Sequence, residues 1–198
     1  MKVDLKKDLK NLYNKNKNVP WISKINNTKY ISIEGHGNPN NSESFQKKTE
    51  ALYALAYTIK FQYKNLDKDF VVMPLEGVWY CDNNEDFRQI PKDDWNWRIM
   101  ILMPDFVEEE IFEKSKKIAF DKKSNEEINN IFIEEFKDEE VACIVHTGSY
   151  SEEESNIDKL HQFIKDEGYQ INGLHREIYM SDPRKVDPSK LKTIIRYP

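Results

Sequence analysis

Two segments of this chain set a carboxylate inside a strand-forming run that closes on aromatic side chains. One is Pro74-Leu75-Glu76-Gly77-Val78-Trp79-Tyr80; the other is His175-Arg176-Glu177-Ile178-Tyr179-Met180-Ser181. β-Branched and aromatic residues suit a pleated, half-buried surface. A carboxylate on such a surface is costly unless it is hydrogen-bonded, paired or met by the charge of a ligand. A fold that contains both runs must supply partners for Glu76 and Glu177, and these positions are the first candidates for function.

Composition narrows the classes available. A chain of 198 residues makes one large domain or two small, fused ones, and 38% hydrophobic with 12% aromatic residues is material for a core. A charged fraction of 33% and a mean hydropathy of −0.80 imply a heavily solvated exterior. No apolar run is long enough to span a bilayer, and the start, Met1-Lys2-Val3-Asp4, lacks the apolar centre of a secretion signal. The expectation is a cytoplasmic protein without membrane contact. Cys81 and Cys143 read as reduced thiols, and the histidines have no ligand-like spacing, so neither metal nor cofactor is expected. A net charge of −5 argues against direct nucleic-acid binding. Charge is uneven, with lysines gathered in the first eighteen residues and acids in residues 105–140.

Hydrophobic spacing places the elements. Residues 1–20 read as an amino-terminal arm around Leu5, Leu9 and Leu12. Residues 28–34 alternate as a strand. Ser42 is placed to cap a helix whose apolar stripe is Phe45, Leu52, Ala56, Ile59 and Tyr63. The first carboxylate-bearing strand runs through residues 70–80, where Pro74 suggests an edge or a bulge. Trp95, Trp97, Ile99, Ile101 and Met103 alternate onto one sheet face. Residues 105–138 read as an acidic insertion of two helices, the second buried through Ile128, Ile131, Phe132 and Phe136. A strand through residues 141–146 leads to a capping box at Ser151, a helix with Ile157, Leu160 and Ile164, the second carboxylate-bearing strand, and a last strand through residues 191–197.

The order repeats: strand, glycine-containing loop, serine-capped helix, turn, strand with a central glutamate. Ser42 matches Ser151, and Glu76 matches Glu177. Duplicated units that each expose an apolar sheet face bury it by pairing. The expected fold is therefore a pseudo-twofold α+β protein whose halves, about residues 28–104 and 141–197, bring both glutamates to a central groove. Strand alternation puts His175, Glu177 and Tyr179 on one face and Arg176, Ile178 and Met180 on the other.

At this point the chain resembles the GyrI-like small-molecule-binding family, the effector-binding domain of multidrug-responsive transcription activators. The resemblance spans about residues 28–197. It rests on Pro74-Leu75-Glu76-Gly77-Val78-Trp79, Trp95-Asn96-Trp97-Arg98, His146-Thr147-Gly148-Ser149-Tyr150 and Glu177-Ile178-Tyr179-Met180-Ser181-Asp182-Pro183. It implies a tandem repeat of strand-helix-strand-strand units over residues 21–198, antiparallel sheets with helices on one side, and an aromatic pocket with a glutamate at its floor. Glu177 sits where the family motif has that glutamate. The ligands so implied are flat, lipophilic or cationic compounds. Some stand-alone relatives hydrolyse strained cyclopropane rings of DNA-alkylating compounds, and inhibition of a DNA topoisomerase through a protein contact also occurs in the family. No helix-turn-helix segment precedes the domain here, so a free-standing binder, hydrolase or inhibitor is expected rather than a DNA-binding regulator.

Two chemistries fit the residues. For binding, Glu177 would hold a cation among Tyr179, Trp79, Tyr80, Trp95, Trp97 and His146, through stacking and cation–π contacts. For catalysis, Glu177 with a raised pKa would act as base on water, with Glu76 or Tyr150 as the second acid or oxyanion holder. Plainer readings stand beside these. Trp95 and Trp97 also suit a core shared with Ile99 and Ile101, Glu76 can pair with Arg98, and His146 can be a satisfied sheet histidine.

Overall fold

The computed structural model describes residues 2–14, 16, 19–40, 42–82 and 86–198. After a short helix α1 (Leu5–Asp8) come β1 (Trp21–Ile25), β2 (Thr28–His36), α2 (Glu43–Lys64), β3 (Leu75–Tyr80), β4 (Asn96–Met103) and α3 (Glu109–Lys123). Then follow β5 (Phe132–Phe136), β6 (Glu139–Thr147), α4 (Glu154–Asp166), β7 (His175–Tyr179) and β8 (Lys192–Tyr197). All eight strands join one antiparallel sheet in the order β1-β6-β8-β7-β3-β4-β2-β5. The carboxylate-bearing strands β3 and β7 are neighbours at its centre.

Local chemistry explains most of these elements. Ser42 accepts a hydrogen bond from the Phe45 amide and so starts α2. Leu52, Leu55, Ala56 and Ile59 then repeat at helical spacing and are sealed from solvent. Pro74 ends just before β3 begins, so its missing amide removes no rung, and β3 is central rather than an edge. The acidic segment departs from expectation. It forms the single helix α3, a short turn at Glu126–Asn130 and then an edge strand, β5, instead of a second helix. Phe132 and Phe136 fit either period, and pairing with β2 fixes the strand.

The register divides the side chains between two faces. Gly77, Trp79, Trp97, Ile99, Ile33, Glu177, Tyr179, Ile195 and Tyr197 share the face on which α2 and α4 pack. Glu76, Arg98, Tyr30, Cys143, Arg176 and Arg196 share the other. Two two-residue links, Asn26-Asn27 and Lys137-Asp138, join strands from opposite ends of the sheet order. A two-residue link leaves its flanking Cα atoms at most about 11 Å apart, so the sheet must curl. The curl brings Phe136 of the end strand to 4.8 Å from the Arg176 guanidinium, measured to the ring centre. The Glu76 face is therefore the inside of the curl, and α2 and α4 lie outside.

The amino-terminal arm packs into the curl, burying Leu12 and Tyr13. Trp21 donates to the Asn11 carbonyl, and the Leu12 carbonyl accepts from Arg196.

Candidate functional site

The site is built on the outward face of β7. His175, Glu177 and Tyr179 alternate onto that face, and the residue across the register from Glu177 is Gly77. A side chain at Gly77 would put its Cβ 3.0 Å from the Tyr179 hydroxyl and 3.1 Å from Trp79 Nε1. Glycine there lets Trp79 Nε1 donate to the Tyr179 hydroxyl at 3.2 Å. Tyr179 in turn donates to Glu177 Oε2 at 2.8 Å. On the other side, His175 Nε2 lies 2.8 Å from Glu177 Oε1, and its Nδ1 lies 2.9 Å from the Tyr197 hydroxyl. Each carboxylate oxygen of Glu177 thus has a fixed partner, although the residue is only 8% exposed.

Electrostatics follow from those contacts. Burial pushes the Glu177 carboxyl up, but the bonds from His175, Tyr179 and a second carboxyl outweigh it and hold Glu177 below its usual range, not above it as a buried base was expected to lie. That second carboxyl is Glu153, 4% exposed at the start of α4 and packed against Glu177 and Thr193. Burial first, and then the Glu177 charge, raise Glu153 to about 9. The two environments thus push the pair apart, Glu153 upward and Glu177 downward. Burial and the same two acids raise the Tyr150 hydroxyl to about 12.

Aromatic rings wall this strip. Tyr150 meets Tyr179 edge to face at 5.5 Å, and Phe45 stacks on Trp79 at 6.1 Å. Trp95 packs on Trp79 at 5.7 Å and on Phe87 at 5.1 Å, and Phe87 lies 4.8 Å from His175. Tyr150 is the most open of these, at 42% exposure. It sits on a turn, Tyr150–Glu152, whose capping box is formed by Ser149 and Glu152 rather than by Ser151. His146 fixes that turn: its Nε2 donates to the Ser149 carbonyl, and its Nδ1 accepts from Asn156.

Several expected site residues lie elsewhere. Glu76 is wholly buried on the inner face, where it accepts from Tyr13 at 2.7 Å and Tyr30 at 3.4 Å and pairs with Arg196 at 3.7 Å. It does not share a groove with Glu177, because the register sets Glu76 opposite Ile178. Nor does it pair with Arg98, which binds Glu34 and Glu134. Tyr80 shares the inner face with Glu76. Trp97 is on the outer face but sealed, lying over Gly35 with its Nε1 donating to the Gly37 carbonyl. His146 is a buried support for the turn. Glu177, Tyr179, Trp79, Trp95 and Tyr150 do converge.

Glu153, His175, Phe87, Phe45 and Tyr197 complete the cluster. Glu153 had a legible signal: the stripe Leu160, Ile157 continues one turn back onto it, so an acid occupies a core position. Among the described residues no cluster of His, Cys, Asp and Glu is arranged to hold a metal ion.

Residues 20–198 match the GyrI-like small molecule binding domain. The chain belongs to that family. A hydrolase from Listeria innocua is 35% identical, with 99% of this chain and 98% of that chain aligned and a TM-score of 0.86. An uncharacterized conserved protein from the same organism is 36% identical over 99% and 98% of the two chains, with a TM-score of 0.89. The C-terminal domain of EcmrR shares the fold at 15% identity, with a TM-score of 0.59 over 90% and 95% of the two chains. No curated protein matches the chain. Among the described residues no helix is long and apolar enough to cross a membrane.

Proposed function

We propose that this family member captures planar, lipophilic or cationic compounds over the aromatic strip and adds water to those that carry a strained, electrophilic ring. The observation that carries this reading is Glu177, a carboxyl fixed by His175 and Tyr179 in a nearly sealed setting walled by rings. A charge held there attracts a cationic or electron-poor guest, and each stacking or cation–π contact contributes roughly 0.5–2 kcal/mol. The same charge makes Glu177 a general base for water beside an activated cyclopropane. The hydrolase from Listeria innocua, similar along almost its whole length, supports turnover over simple capture.

The test is incubation of the protein with planar dyes and strained-ring alkylators, followed by mass spectrometry. The expected product gains the mass of water, and Glu177→Gln abolishes its formation. A wild-type protein that returns every bound compound unchanged would reduce the function to capture. Undiminished turnover by Glu177→Gln would remove that residue from the chemistry.

A further inference from the structure

We propose that the outward stripe of α2 docks on the same stripe of a second copy of this chain, so that the protein pairs about a twofold axis at Tyr57. Nothing in this pairing depends on the hydrolytic reading above. The sheet-facing stripe of α2 is sealed, and the opposite side of the helix carries Tyr57 at 48% exposure and Phe61 at 52%. A spacing of four residues sets the two rings on one line, which the half-buried Tyr53 extends by a further turn. Apolar rings in a row on a solvent-facing helix mark a contact surface.

The charges of α2 say what covers it. The helix has six charged side chains. Glu43 pairs with Lys47, Lys48 with Glu127 and Lys60 with Asp69. The remaining two, Glu50 and Lys64, are exposed, and among the described residues no ion pair holds either of them. Glu50 accepts from the neutral amide of Gln46. The two unpaired charges stand seven residues to either side of Tyr57, or about 10 Å along the helix axis.

An antiparallel twofold through Tyr57 sets each residue beside the one at the same distance on the other side. Tyr57 then meets its own copy, Phe61 meets the copy of Tyr53, and Glu50 meets the copy of Lys64, once at each end. The contact is isologous, as in most soluble dimers. Helices packed at a shallow angle keep their axes about 8–10 Å apart, within reach of both ion pairs. A membrane or a uniformly acidic partner calls for one sign of charge along the stripe. An acid and a base at equal distances from a central ring fit the stripe itself.

Sedimentation velocity from roughly 1 μM to 1 mM should show the wild type in reversible equilibrium with a dimer. Tyr57→Asp sets two carboxylates on the axis and should weaken association at least about thirtyfold. Glu50→Lys and Lys64→Glu each oppose like charges and should each weaken it at least about tenfold, with circular dichroism unchanged. Mixing these two single variants should restore association, because each offers the charge that the other lacks, and so should combining both substitutions in one chain. A wild type that stays a single chain over this range overturns the proposal, even if another protein or a vesicle occupies the face. A dimer that Tyr57→Asp or both charge reversals leave intact lies on another surface and overturns it as well. Should Tyr57→Asp not fold, the mixing experiment decides alone: recovered association supports the pairing, and none refutes it.

Discussion

Glu76 and Glu177 stand one register step apart on neighbouring strands, and that step puts the thickness of the sheet between them. Gly77 faces Glu177 and Ile178 faces Glu76, so one acid points out under the helices and the other into the curl. Their partners differ accordingly. Glu177 has His175 and Tyr179, while Glu76 has Tyr13, Tyr30 and Arg196.

Substituting the two acids should therefore separate stability from activity. Glu76→Ala leaves Arg196 buried without its carboxylate and should cost about 3–5 kcal/mol in denaturant unfolding. Dye binding by the folded fraction should be unchanged. Glu177→Gln should lose turnover while unfolding within about 1.5 kcal/mol of wild type. Equal stability losses in both variants would contradict this division.

Gly77→Ala should act on the site through crowding. The new methyl meets the Tyr179 hydroxyl and Trp79 Nε1 at the distances where those groups now bond to each other. Overpacking of this kind costs about 1–3 kcal/mol. Displacement of Tyr179 should also weaken dye affinity, measurable by fluorescence titration, whereas an unchanged affinity would mean that Tyr179 does not position the guest.

Tyr13→Phe tests the arm. It removes the 2.7 Å bond to Glu76 and leaves a buried carboxylate oxygen short of a donor. A loss of about 1–3 kcal/mol is expected. Turnover measured well below the melting temperature should stay at the wild-type level, since the arm lies on the inner face.

Stability should fall from mildly acidic to alkaline pH in proportion to the Glu153 proton. The folded value of about 9 exceeds that of an unfolded glutamate, about 4.3. Between these values the native state holds a proton that the unfolded chain has released. The contribution is complete below the lower value and is lost as pH rises to the upper one, at no more than about 1.4 kcal/mol per pH unit. Glu177 has the opposite sign: its value is lowered, so its contribution is present above the ordinary glutamate range and is lost as pH falls through its folded value. Melting curves of Glu153→Gln from pH 5 to 9 should be flatter than those of wild type.

Much of this was readable in the residues because it depended on local period. The face shared by His175, Glu177 and Tyr179 follows from alternation alone, and the start of α2 follows from Ser42 and its stripe. What depended on pairing was not readable. Glu76 matched Glu177 as a motif, but only the register with β7 decides which face each acid takes. Phe132 and Phe136 satisfied a helix as well as a strand until β2 offered a partner. Glu153 was hidden in a run of three glutamates that reads as a solvated helix start, although the stripe behind it marks one of the three as inward-facing.

The paired two-residue links have a mechanical consequence. A sheet tied to itself at one rim cannot flatten there without stretching connections that have no slack. The outline of the strip is then set by what stands on the sheet: the ring of Tyr150, the turn that carries it and the first residues of α4. Recognition and the placing of the second acid would thus share one small support, and a change that disturbs that turn would be felt by both carboxyls.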